Sequence, residues 1–160
     1  EEICNKMGAV DSLIADGQKE QAKILLIRSN TYTATKSTLV DSLDIAVPPA
    51  YVPRLMKDLN DVAQKYNTRI NTVGHIGDGN VHNNILLVDG KVPSYYEEMK
   101  EDMYKAAMKY GGTITGEHGA GKTRLKNLPL QFDDVQITLM RGIKKLFDPN
   151  NILNPDTAIC

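Results

Sequence analysis

The stretch RINTVGHIGDGNVHNNILLV, residues 69–88, constrains the fold more than any other part of the chain. Two apolar runs flank Asp78-Gly79, a pair that tolerates the positive φ angles of a tight type I′ turn. The runs are therefore expected to pair as antiparallel strands, because so short a link cannot carry a parallel crossover. A turn centred on Asp78-Gly79 puts His75 directly opposite His82, with Asn84 on the same face two residues on. Val81 and Ile85 then point the other way, into a core. Asp78 and Asn80 read as turn residues.

Directly opposed residues hold their Cβ atoms about 4.5–5.5 Å apart. Two imidazoles so placed can share one divalent metal, whose bonds to nitrogen are about 2.0–2.1 Å. Such a site needs at least one more protein ligand. The third and last histidine, His118, follows Glu117 inside GTITGEHGAG, so a carboxylate and an imidazole share one glycine-flanked turn.

Helices fill the space between strand signals. Residues 51–66 carry Leu55, Met56, Leu59, Val62, Ala63 and Tyr66 on one face, with Pro53 in the first turn. Residues 94–110 offer a Ser94-x-x-Glu97 capping box, a stripe of Tyr96, Met99, Met103, Ala107 and Tyr110, and Gly111 as a stop. A third helix is expected over 133–147, burying Val135, Leu139, Met140, Ile143 and Leu146. Residues 19–36 contain a strand-like ILLI, but their length and lack of internal Gly or Pro favour a helix. Short strands are expected at 43–47 and 112–115. The mixture predicts an α+β fold, an antiparallel sheet with helices packed on it.

The string GEHGAGKT, residues 116–123, also matches the phosphate-binding pattern G-x-x-x-x-G-K-[ST]. That chemistry needs a parallel sheet and a helix of several turns opening at the Lys-Thr. Pro129 leaves room for under two turns, and no apolar strand ending in Asp follows to hold Mg²⁺. The nucleotide reading is the weakest of the alternatives. A stand-alone divalent-metal hydrolase using the same histidines is a stronger one.

A net charge of −1 gives no electrostatic footprint for nucleic acid. No apolar run approaches the roughly 20 residues of a membrane span. Cys4 and Cys160, at the two ends, form neither a disulfide framework nor a metal-binding pair, so a reducing, cytoplasmic setting is expected. The chain opens on EEICNKMGAV without an initiator Met, which reads as a fragment whose N-terminal portion is absent.

GHIGDGNVHNNIL, GGTITGEHGAG and IKKLFDPNNILNP, in this order, resemble the C-terminal domain of the FAD-linked 2-hydroxy-acid dehydrogenases, the D-lactate dehydrogenase and glycolate oxidase group. The resemblance runs from about residue 17, and DIAVPP at residues 44–49 fits it as well. It implies a ferredoxin-like cap domain over a flavin, with FAD held mainly by a separate N-terminal domain, so that the isolated chain is expected to be inactive. It further implies that His75, His82 and Glu117 hold a divalent metal (Zn, with Mn or Fe as alternatives). His118 would be the base, Asn84 would contact the 2-hydroxy acid and Arg28 would engage its carboxylate. An iron–sulfur subunit or other electron acceptor, a homo-oligomer and a peripheral position at a membrane fit the same picture. Ser42 stands where some members carry a substrate-binding Lys, which leaves the identity of the acid open. Ala120 replaces a larger aliphatic residue, and Lys122 occupies a variable position.

Overall fold

A computed structural model describes residues 1–157 and 159, the side chains of Thr31 and Tyr32 excepted; Cys160 lies outside the described residues. The chain divides into two compact units, Glu1–Ser37 and Thr38–Cys160. The first contains helices α1 (Glu2–Lys6) and α2 (Gln18–Thr35). The ILLI segment is therefore helical, as its length required, and Ile24, Leu25, Leu26 and Ile27 are all exposed.

The second unit is built on strands β1 (Leu39–Ala46), β2 (Ile70–His75) and β3 (Asn80–Leu86), fully antiparallel in the order β1-β3-β2. Helix α3 (Val52–Lys65) links β1 to β2, and α4 (Tyr96–Met108) follows β3. The strand expected at residues 112–115 is reduced to one bridge, Thr113 with Ala46, on the outer edge of β1. It stands where the fourth strand of a β-α-β-β-α-β unit would lie. Gly112 and Gly116 bracket this segment, and beyond the bridge the Gly116 N–H still bonds to the Asp44 carbonyl of β1.

Strand alternation divides the sheet into two chemically different faces. Leu43 and Ile45 of β1 and Val81 and Ile85 of β3 are buried with Leu55 and Leu59 of α3 and with Met99, Met103 and Ala107 of α4. This is the core. Met56, expected in the α3 stripe, lies at its exposed margin. The opposite face carries Asp44, His82, Asn84 and His75.

The hairpin register differs from the sequence expectation. His75 pairs with Asn80 and Val73 with His82, so the turn is the four-residue loop 76–79 and not a two-residue type I′ turn. The loop is closed by bonds from Asp78 N–H to His75 O (3.2 Å) and from Gly79 N–H to Ile76 O (3.2 Å). Gly79 alone takes positive φ, at 87°, and a Cβ there would lie 1.9 Å from the Val47 carbonyl oxygen. Close approach to β1's exit therefore fixes the loop. A shift of two residues keeps every side chain on its face, so His75 and His82 remain neighbours on a diagonal.

Two helix expectations also change. The Ser94-x-x-Glu97 capping box does not form: α4 begins at Tyr96, whose hydroxyl donates to Asp41 (2.7 Å), and Glu97 pairs with Lys100 (2.7 Å). Helix α5 (Asp134–Phe147) is present with a reciprocal Asp133–Gln136 capping box. It buries no residue, and Val135, Leu139, Ile143 and Leu146 are exposed. The periodicity identified a helix but not what covers its apolar face.

Candidate metal centre

The polar face of the sheet and the loop after Thr113 supply two overlapping groups of potential ligands, His75–His82–Glu117 and Asp44–His82–His118. His75 is the last residue of β2, and His82 lies inside β3, the central strand. Glu117 and His118 follow Gly116, whose N–H donates to the Asp44 carbonyl (2.8 Å). A Cβ on Gly116 would stand 2.7 Å from Asp44 Oδ1, so only glycine lets the loop lie this close to β1.

The His75 and His82 Nε2 atoms lie 3.2 and 3.4 Å from the same Glu117 oxygen. Two donors bound to one tetrahedral ion at about 2.0–2.1 Å stand roughly 3.3 Å apart. The three donor atoms all lie within 4.8 Å of one another, so they fit a single divalent cation. The far nitrogens are also suited to that task. His75 Nδ1 sits 2.9 Å from both Asp78 oxygens, and His82 Nδ1 is 3.4 Å from Asp44 Oδ1. A metal-binding imidazole ordinarily presents its second nitrogen to such an acceptor. The Asp78 carboxylate, with Glu117 behind it, raises the His75 pKa above the ordinary imidazole value.

His118 stacks on His82 with ring centroids 4.9 Å apart and planes at 9°. Its Nδ1 faces Asp44 Oδ2 at 3.7 Å, and its Nε2 is 3.8 Å from Glu117. Asn84 shares the sheet face, directly opposite Ser42, and is almost fully buried with its amide oxygen unpartnered. Arg28 is an exposed residue of α2, in the N-terminal unit. The structure thus gathers His75, His82, Glu117 and His118, with Asn84 on the same face.

Three acidic groups escaped the sequence reading. Asp78 is a turn residue, but its carboxylate also binds His75. Asp44 is buried, which pushes its pKa up, yet the His118 and Glu117 amides and the nearby His118 ring outweigh burial and hold it low. Asp41 receives a two-pronged bond from Arg124, Nη1 to Oδ2 at 2.5 Å and Nη2 to Oδ1 at 2.6 Å. An acid inside the apolar run DIAVPP was the available signal for Asp44. Nothing local distinguished Arg124. Residues 116–123 lead into a six-residue 3-10 segment, Leu125–Leu130, and not into the long helix a phosphate loop requires.

The sequence profile described as "FAD linked oxidases, C-terminal domain" matches residues 1–158. The chain belongs to this family. The match begins at residue 1, earlier than the motifs alone indicated. This FAD-linked oxidase domain is 38% identical over 157 residues to a D-lactate dehydrogenase of Archaeoglobus fulgidus, covering 98% of the chain and 35% of that protein. It is 33% identical over 162 residues to the glycolate oxidase subunit GlcD of Bacillus subtilis, covering 97% and 34%. A D-2-hydroxyglutarate dehydrogenase of Stutzerimonas stutzeri is 28% identical over 161 residues, covering 96% and 35%. The chain thus spans about a third of the length of these relatives. Among the described residues, no helix is long and apolar enough to cross a membrane.

Proposed function

We propose that this chain is the substrate-facing cap of an FAD-dependent enzyme that oxidises a small 2-hydroxy acid, of the D-lactate or glycolate type, to the 2-oxo acid. The observation that carries this reading is the convergence of two Nε2 atoms on one Glu117 oxygen, with His118 next in sequence and stacked on His82. His75, His82 and Glu117 hold a divalent cation, Zn²⁺ by donor type, with Mn and Fe as alternatives. When bound, the cation supplies Lewis acidity to the substrate hydroxyl and carboxylate, and the flavin supplies the hydride acceptor.

The chain's own residues bind, orient and deprotonate. His118 takes the hydroxyl proton at Nε2, because its Nδ1 faces Asp44. Arg28 pairs with the substrate carboxylate through its guanidinium fork, an assignment supported by the resemblance. Asn84 contacts substrate on the same ground, and its burial makes it the least accessible of the set. A separate N-terminal FAD-binding domain completes the proposed enzyme. An electron-transfer partner such as an iron–sulfur subunit, a homo-oligomer and a cytoplasmic, membrane-peripheral location complete the reading.

Metal analysis tests it. The purified chain is expected to hold about one Zn²⁺ by four-coordinate structural precedent, and the His75→Ala/His82→Ala variant none. Equal metal content in the two would remove the site.

A further inference from the structure

Asp44 lies on β1 directly opposite His82 of β3 and is 3% exposed. A carboxylate that deep is rarely left without partners, and this one divides its two oxygens between two tasks. Oδ2 accepts hydrogen bonds from two successive amides, Glu117 N–H at 2.7 Å and His118 N–H at 2.6 Å. Oδ1 makes no hydrogen bond and faces His82 Nδ1 at 3.4 Å, which is itself buried and unpartnered. A hydrogen on Nδ1 aims a donor across this 3.4 Å gap at Oδ1, whereas a lone pair on Nδ1 would face the carboxylate. The Nδ1–H tautomer leaves the Nε2 lone pair directed toward Glu117.

We infer that Asp44 is the positioning residue of this centre, one carboxylate that sets the His82 tautomer and fixes the backbone of both Glu117 and His118. The inference rests on the metal reading above and adds to it the residue that prepares the ligands. The backbone of Asp44 contributes as well, through the Gly116 N–H bond to its carbonyl. Ligand, base and loop are thus all referred to one position on β1. Asp78 performs the equivalent service for His75, but from an exposed turn and with no hold on Glu117 or His118.

Asp44→Asn separates this role from packing. The Asn amide oxygen can keep the two backbone N–H bonds, which turns its NH₂ toward His82 Nδ1. A donor there drives the hydrogen to Nε2, where it occupies the ligating lone pair. The experiment is ¹⁵N NMR of the metal-free chain at alkaline pH, combined with a competitive Zn²⁺ titration. The unmutated chain is expected to show the Nδ1–H tautomer at His82. Asp44→Asn is expected to show Nε2–H and to bind Zn²⁺ about 10- to 100-fold more weakly, the usual range for loss of a supporting acceptor. An unchanged tautomer and affinity in the variant overturns the inference, and so does an Nε2–H tautomer in the unmutated chain. The latter measurement decides the matter even if the variant does not fold. An unmutated chain that binds no Zn²⁺ overturns the three-ligand reading instead, and the tautomer still decides for Asp44.

Discussion

His118→Ala is expected to lower kcat of the full-length protein on its 2-hydroxy acid by about 10²- to 10⁴-fold, the range for losing a positioned general base. Zn²⁺ content should stay at the level of the unmutated protein, because the proposed ligating atoms belong to His75, His82 and Glu117. The separation is physical. Both the His118 ring and the Glu117 carboxylate depend on the Asp44-bound loop, but only the ring of His118 is deleted, and the backbone N–H that anchors the loop remains. KM is expected to move much less than kcat, since the base acts on a proton that is transferred in the transition state. A loss smaller than tenfold, with metal retained, would assign the base to another residue.

Arg124→Ala is expected to destabilise the domain by about 3 kcal/mol, the low end for removing one partner of a buried pair. The lower figure is chosen because the Asp41 side chain keeps 16% of its surface in water. Arg124 grips both Asp41 oxygens and the Ser42 carbonyl (3.1 Å), which ties the end of the 116–124 loop to β1. Removing it leaves Asp41 with the Tyr96 hydroxyl and the Ser42 N–H as partners and no compensating charge. Denaturant melts of Arg124→Ala, Asp41→Asn and the double variant measure the pair, and the double variant should be less destabilised than the two single costs combined.

Acid gives an independent check on the same pair. Burial alone would raise the Asp41 pKa, but the Arg124 and Tyr96 hydrogen bonds and the Arg124 charge hold it below the ordinary value of 3.8. The folded state therefore favours the ionised form. Its contribution is complete above 3.8 and is lost as pH falls through the lower, folded value. Unmutated protein should lose stability over that acid window, and Arg124→Ala should lose less of it. Matching acid profiles in the two proteins would show that the pair does not carry the effect.

The gathering of these side chains on one face was readable because strand alternation is a local property. His82 and Asn84 share a face whatever the register, and a shift of two residues left His75 on that face too. The register itself was not readable. Asp78-Gly79 permits a two-residue turn, and the longer loop is chosen by contact between Gly79 and Val47, 32 residues earlier. Asp44 and Arg124 failed for the same reason: their partners lie 73 and 83 positions away. Helix α5 illustrates the reverse limit. Its periodicity was sound, but a period records that a face is apolar, not what covers it.

The position of the two histidines in the sheet has a consequence for chain connectivity. His82 belongs to the central strand, His75 to the free edge, and Glu117 to a loop 42 residues beyond His75. Any ligand gripped by all three behaves like a non-covalent cross-link that closes a long loop and tethers the end of the strand most prone to fray. Occupancy of the centre should accordingly be visible far from the chemistry, as slowed amide exchange along β2 when Zn²⁺ is added, with the strand interior of β3 much less affected.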